Sequence, residues 1–387
     1  MTTAAGQQLD PSSRSADARA FDSAMRSKIV GQEEAVQALV ELYQVFRAGL
    51  NSDGRPVGNF LFLGPTGSGK TRVVEAAAEI LFGDSRVVIK VDCAEFQHAH
   101  EIAKLIGAPP GYLGHRETHP LITPEALAAS HTDRLKLSFL LFDEIEKASD
   151  ALWQLLLGML DKGTLRLGDN RRVDLSKTVI FMTSNLGGRE ITELMTGGMG
   201  FIQPKDKPLN DLDEKVERTA VEAARRNFSP EFINRLDKVV VFHPLNRDQL
   251  EEVLDIELAL VQQRILENSE TQFLFHVKPA GREFLLEDGT DPRYGARHLR
   301  RAIERHLVSP LANLLATEQV HTGDRVCIDW VKNSRHLAFV RENRKPVFAG
   351  WSVGRTVDIE PTPVRSGKTI QAPVPEPVRR FTPSFTH

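Results

Sequence analysis

The apolar run Phe60–Leu63 leads without a break into Gly64-Pro65-Thr66-Gly67-Ser68-Gly69-Lys70-Thr71. Four apolar residues of this kind read as a buried strand, and the Ala-rich stretch Val73–Leu81 that follows reads as a helix. A strand, a G-x-x-x-x-G-K-T turn and a helix in direct succession describe a phosphate-binding loop in an α/β sheet. Gly64, Gly67 and Gly69 let the backbone curl so that successive N–H groups face inward, and Pro65, Thr66 and Ser68 complete the loop. Lys70 is spaced to reach β- and γ-phosphates and the Thr71 hydroxyl to take Mg²⁺. A helix beginning at about Lys70 adds its positive dipole end. The expected ligand is therefore a nucleotide.

Further strands are expected at Val87–Asp92, Phe139–Phe142, Thr178–Thr183 and Val239–Phe242, with helices between them that include Ala151–Leu160 and Leu212–Arg226. Continuous apolar strands alternating with helices predict a parallel five-stranded sheet covered on both faces. Residues 21–50 read as helical, with Val36, Leu39, Val40, Tyr43 and Phe46 at helix spacing. Beyond Pro244 the texture changes to a smaller α+β unit over 245–342. It contains a long helix over Arg247–Glu267, a helix over Ala296–Ala316 broken at Pro310, and strands at Gln272–Val277, Asp324–Trp330 and Leu337–Arg341. The expected domains are a flexible lead over 1–20, a large unit over 21–244, this small unit, and a Pro-rich disordered tail over 343–387.

A phosphate loop that hydrolyses its ligand needs acidic partners. Phe139-Leu-Leu-Phe-Asp143-Glu144 ends a strand in two carboxylates, at the sheet edge where ligands of open α/β folds bind. Asp143 suits Mg²⁺ and its waters; Glu144 suits an attacking water. The next strand ends at Ser184-Asn185, where an amide can hydrogen-bond that water or the γ-phosphate. Arginines stabilise charge on a transferring phosphoryl group through their fixed planar donors. Arg235, just before the last strand of the sheet, and Arg297, opening a helix of the small unit, are candidates, but on sequence alone each reads more readily as a surface or salt-bridged arginine than as a catalytic one.

Bulk properties exclude several classes. The net charge of −3 over 387 residues gives no whole-chain drive toward nucleic acid or acidic membranes. The two cysteines, Cys93 and Cys327, form neither a disulfide framework nor a zinc spacing, and His98, His100, His115 and His119 have no metal-ligand spacing. No stretch is long and apolar enough to span a membrane, and residues 1–20 lack a signal-peptide core, so a cytoplasmic location is expected.

A series of longer strings resembles the AAA+ ATPases of the Clp unfoldase group, especially the second ATPase domain of ClpA, ClpB and ClpC. They are Ile29-Val-Gly-Gln-Glu-Glu-Ala-Val36, Phe60–Thr71, Leu105-Ile-Gly-Ala-Pro-Pro-Gly-Tyr-Leu-Gly114, Leu141-Phe-Asp-Glu-Ile-Glu-Lys147, Thr183-Ser-Asn-Leu-Gly187, Phe232-Ile-Asn-Arg-Leu-Asp237 through Leu245, and Tyr294-Gly-Ala-Arg297. They occur in family order over roughly 21–330. The resemblance implies an AAA+ sheet followed by a Clp-type small domain, with ATP and Mg²⁺ as cofactors. It makes Ile29 and Val30 the adenine pocket, Asn185 sensor 1, and Arg297 sensor 2. Arg235 becomes an arginine finger reaching a neighbouring subunit, which implies a homohexameric ring. Gly111-Tyr112-Leu113-Gly114 would be a pore loop gripping translocating polypeptide, and Gly163–Arg172 a second, more polar one.

Departures from the family are equally informative. Residues 115–142 form a longer stretch than the family usually has, with extra material around His119–Leu135. The sequence shows no separate N-terminal adaptor domain, first ATPase ring or coiled-coil insertion. The expected function is a stand-alone remodelling chaperone acting on unfolded or misfolded proteins. Met199-Gly200-Phe201 falls where protease-coupled relatives carry a peptidase-docking loop, so the regulatory ATPase of a Clp-type protease is the alternative. The neutral composition and the Tyr112 loop argue against a nucleic-acid motor.

Overall fold

The computed structural model describes residues 10–108, 119–196, 209–291 and 295–342. The expected loops at Gly111–Gly114 and Met199–Phe201, together with His115, lie outside them. Ten strands are described: β1 (Gly58–Leu63), β2 (Ile89–Asp92), β3 (Ser138–Asp143), β4 (Thr164–Arg166), β5 (Arg172–Asp174), β6 (Thr178–Ser184), β7 (Lys238–Val241), β8 (Leu274–Val277), β9 (Arg325–Asp329) and β10 (Ala338–Glu342). Five of them make the expected all-parallel sheet, in the order β2-β3-β6-β1-β7.

Alternation along these strands builds two cores. Leu61, Leu63, Leu140, Phe142, Ile180 and Met182 face one side, with the Asp150–Lys162 helix against them. Phe60, Phe62, Phe139, Leu141, Val179 and Phe181 face the other, against the helix Lys70–Phe82. Burial on both faces is why the strands carry no polar alternation. Rings of Phe60, Phe62, Phe139, Phe181 and Phe242 meet at centroid distances of 5.0–6.3 Å, adding specific edge and offset contacts to the burial.

The ladder sets the site. Leu63 pairs with Ser184 on one side and Val241 on the other, and Phe142 pairs with Met182. The C-terminal ends of β1, β3 and β6 are therefore level, which brings the glycine loop, Asp143-Glu144 and Asn185 to one edge.

Several expectations change in detail. The first helix begins at Ala16, inside the expected lead, because Ser15 caps it and Ala18 is buried. The helical reading of 21–50 resolves into Ala16–Arg26 and Glu33–Arg47. They are separated at Gly31, whose positive φ of 70° no helix accommodates. The extra residues 119–137 belong to the core: Ile122 and Leu127 join one apolar cluster, and Leu135 and Leu137 the other. Gly163–Arg172 includes most of an antiparallel hairpin, β4–β5, whose Gly168 N–H donates to Ile106 O at 2.8 Å.

In the small unit the helix Arg247–Asn268 starts with a reciprocal cap between Asn246 and Gln249. A third core forms between this helix, Pro279–Gly289, Ala296–Ile303 and a three-stranded sheet ordered β10-β9-β8. The break expected at Pro310 is absent. The helix continues through one wide π turn, Glu304–Val308, into Ser309–Ala316. The wider turn relieves the crowding and missing N–H of a proline, and Ser309 Oγ donates to Glu304 O at 3.0 Å.

Candidate nucleotide-binding site

The glycine loop closes over the end of β1. At Gly64 φ is 142°, and a Cβ there would sit 2.4 Å from Phe242 O, so only glycine lets β7 seal against the loop. Gly69 is left-handed at φ 100° and starts the helix Lys70–Phe82. The loop amides and the helix N-terminus thus converge on one spot, an arrangement suited to anions.

A cleft of about 310 Å³ opens between this loop and the small unit. Ile29, Val30, Leu245, Val253 and Ile256 give it an apolar wall; Thr66–Thr71, Asp143, Glu144, Asn185 and Arg297 give it a polar one. The small unit reaches it directly: Ala296 N–H donates to Gly67 O at 3.2 Å at the start of the helix carrying Arg297.

Lys70 is buried at 7% exposure, and its ammonium donates to Gly64 O (2.8 Å), Pro65 O (2.9 Å) and Asn185 Oδ1 (3.0 Å). Burial lowers its pKa to about 8; the carboxylates of Asp143, Glu146 and Glu144 oppose the shift, and Arg297 adds to it. A cation held this dry by neutral acceptors is suited to the stronger acceptors of a phosphate.

Asn185 links the two halves of the site. Its Oδ1 accepts from Lys70 and from Thr66 Oγ1 (3.3 Å), while its Nδ2 donates to Glu144 Oε1 at 3.1 Å. Glu144 follows β3 in a left-handed conformation, φ 55°, and its N–H donates to Thr183 Oγ1 at 3.1 Å. That same hydroxyl donates to Asp143, so Thr183 on the intervening β6 fixes the Asp143 carboxylate and the Glu144 backbone. A hydrogen bond from Lys147 holds the Glu144 carboxyl below its usual range, with a further contribution from Asn185. Glu144 is thus ionised, and Asp143 and the Thr71 hydroxyl share the cleft with it. Two oxygen donors of this kind fit a hard divalent cation such as Mg²⁺.

Arg235 is not brought to this cleft. Its guanidinium donates to Glu231 at 2.8 Å and lies 3.8 Å from Asp161. Three further residues in or near the site carry no motif that points to a role. Gln32 is 4% exposed and donates to Ser68 O (3.0 Å) and His243 O (2.9 Å), tying the loop to the segment after β7. Glu146 accepts from the Asn185 N–H at 3.1 Å, and its second oxygen is buried without a partner among the described residues. Arg300 lines the cleft one helical turn beyond Arg297 and bonds Glu257. Gln32 and Glu146 fall inside family-like strings; only position in the fold distinguishes them.

Residues 55–239 match the model of the AAA domain (Cdc48 subfamily), and residues 245–328 match that of the C-terminal D2-small domain of ClpB. The chain belongs to the AAA+ ATPases of the Clp group. Chaperone protein ClpB of Pseudomonas putida is 40% identical over 307 residues, covering 79% of this chain and 33% of the relative. Chaperone protein ClpB of Corynebacterium efficiens is 37% identical over 316 residues (82% and 33%). The Clp protease ATP-binding subunit ClpC of Staphylococcus saprophyticus is 37% identical over 310 residues (80% and 36%). This Clp-group chain spans about a third of the length of the curated relatives it matches. A closed-state cryo-EM reconstruction of Hsp104 with ATPγS and FITC-casein has the same fold at a TM-score of 0.67 and 29% identity, over 84% of this chain and 52% of that one. The extended S. cerevisiae Hsp104:casein complex gives 0.69 and 29%, over 84% and 53%. Among the described residues no helix is long and apolar enough to cross a membrane.

Proposed function

We propose that this chain is an ATP- and Mg²⁺-dependent AAA+ motor that unfolds or remodels polypeptides as a ring of identical copies. The observation that carries the reading is the convergence of Lys70, Asp143, Glu144, Asn185 and Arg297 on one cleft.

The glycine-loop amides and Lys70 hold the β- and γ-phosphates, and the apolar wall around Ile29 and Val30 takes the adenine. Thr71 and Asp143 hold Mg²⁺, which when bound neutralises charge on the phosphate oxygens. Glu144 accepts a proton from the attacking water as its oxygen bonds the γ-phosphorus and the bond to the bridging oxygen breaks, leaving ADP and phosphate. Asn185 positions both the phosphate lysine and that base. Arg297 adds positive charge from the small unit, so nucleotide state is felt there as a rigid-body shift. Arg235 serves the site of a neighbouring copy.

Casein in the related Hsp104 structures supports a protein substrate, with Tyr112 as the gripping residue. The Glu144→Gln variant should bind ATP, lose turnover by about 10²-fold or more, and retain ring and client together in a pull-down. Tyr112→Ala should keep ATPase activity and lose unfolding of a model substrate. Turnover near wild type in the first variant, or unchanged unfolding in the second, removes that part of the reading.

The ClpC likeness favours a second reading, the ATPase partner of a peptidase docked through Met199-Gly200-Phe201. Deleting residues 197–201 and measuring peptidase binding separates the two; an intact chain that binds no peptidase rules it out.

A further inference from the structure

The small unit brings together three side chains that lie far apart in the sequence. His276 on β8 is directly opposite Cys327 on β9 in the parallel ladder. Val340 on β10 is opposite Cys327 in the antiparallel ladder, so Glu342, two residues on, lies on the same face. The imidazole nitrogen, the thiol sulfur and a carboxylate oxygen all lie within 4.8 Å of one another, and His276 Nε2 is 3.8 Å from Glu342 Oε1. Val326 and Ile328, on either side of Cys327, point the opposite way into the third core. The trio therefore sits on the outer face of the sheet.

We propose that His276, Cys327 and Glu342 form a site for a borderline-soft divalent cation of the Zn²⁺ class. A thiolate, an imidazole and a carboxylate are the donor types such an ion takes, and three protein ligands leave its fourth position to water. Metal–ligand bonds of about 2.0–2.3 Å in a tetrahedron put donor atoms roughly 3.3–3.6 Å apart. The trio needs to contract by at most about 1.5 Å. The strand ladders already fix the three backbones, so binding orders little that is not ordered.

Two cations share this face. Lys278 is bonded to Asp329 at 3.0 Å but also interacts electrostatically with Cys327 and Glu342, and Arg325 lies opposite Glu342 across the β9–β10 ladder, so a bound ion takes over charge these two side chains now balance. On binding, the thiol gives its proton to solvent as the sulfur–metal bond forms, and no electron is transferred. The ion neutralises the two negative charges of thiolate and carboxylate, and it joins the edge strand β10 to β9 and β8. The other cysteine offers no rival thiolate: Cys93 is fully buried, and burial first, then nearby carboxylates, push its thiol pKa upward.

The test uses the full chain without an affinity tag, stripped of metal and titrated with Co²⁺ in the absence of nucleotide. One thiolate-to-cobalt charge-transfer band per chain is expected, displaced by Zn²⁺ and retained in Cys93→Ala. Oxygen donors at Thr71 and Asp143 give no such band, so the two sites are distinguished spectroscopically. The band should vanish in Cys327→Ser. Because that position is buried, Glu342→Gln on the partly exposed edge strand is the second variant; it and His276→Ala should bind Co²⁺ at least about 10–100-fold more weakly. No thiolate band in the parent protein, a band that survives Cys327→Ser, or unchanged affinity in both Glu342→Gln and His276→Ala overturns the proposal.

Discussion

Asn185 donates its side-chain amide to Glu144 at 3.1 Å, so the residue just after β6 aims the carboxylate that follows β3. Its other end is occupied by the Lys70 ammonium. Replacing Asn185 by alanine removes both contacts while leaving the loop amides and Lys70 in place. Turnover should fall on the order of 10- to 100-fold, as for a lost positioning contact. ATP affinity should change only a few-fold. Steady-state hydrolysis together with nucleotide titration checks this, and a loss confined to affinity would assign Asn185 to binding instead.

Lys70 makes nucleotide binding dependent on pH. Its pKa in the folded chain is lowered to about 8 from an ordinary 10.5, chiefly by burial. Between those values the unfolded chain binds more protons than the folded one, so stability rises with pH across that window. Phosphate oxygens favour the ammonium, so binding above about pH 8 should take up a proton and weaken by up to about tenfold per pH unit. Calorimetry at about pH 9 in buffers of different ionisation enthalpy reads the uptake directly. Binding heats that do not depend on the buffer would show that Lys70 stays charged.

Gln32 is a tie whose removal should be felt in folding and binding together. It donates to Ser68 O and His243 O and accepts from the His243 N–H at 3.3 Å. Gln32→Ala leaves one buried and one part-buried carbonyl without this partner, a cost of about 1–3 kcal/mol. The urea midpoint should drop and ATP affinity should weaken several-fold. Gln32→Glu preserves volume but loses the amide donor, so it should do no better than alanine. If Gln32→Glu restores the midpoint, the side chain fills space rather than bonding.

The readable parts of this protein were those whose signal is local. Phe60–Leu63 followed by the glycine loop, and Phe139–Phe142 followed by two carboxylates, each carry strand, turn and chemistry within a dozen residues. The unread parts depend on distant partners. Gln32 acquires its role from a carbonyl 211 residues away, and Glu146 from the Asn185 backbone N–H just after β6. The division at Gly31 follows from its positive φ of 70°, a backbone state that the apolar helix spacing of 21–50 does not reveal. Continuity through Pro310 depends on a π turn that no propensity scale encodes. Cys327 has no metal spacing in the sequence; strand register alone places His276 and Glu342 beside it.

On the proposed reading, Arg235 acts on the nucleotide of a neighbouring copy rather than its own. Its side chain is 21% exposed and pairs with Glu231 and Asp161, away from the cleft of its own chain. Acting on a neighbour's nucleotide predicts a result that a structural salt bridge does not. Arg235→Ala should bind ATP normally and lose about 10³-fold in turnover, the range for an arginine supplied in trans. Mixing it with Glu144→Gln separates the roles. Wherever an Arg235→Ala copy presents its intact Glu144 site to a Glu144→Gln copy with an intact arginine, one working site is rebuilt. Partial hydrolysis should therefore return in the mixture, although neither variant hydrolyses alone. No recovery in rings verified to contain both variants would place Arg235 outside the reaction, as a stabilising partner of Glu231 and Asp161.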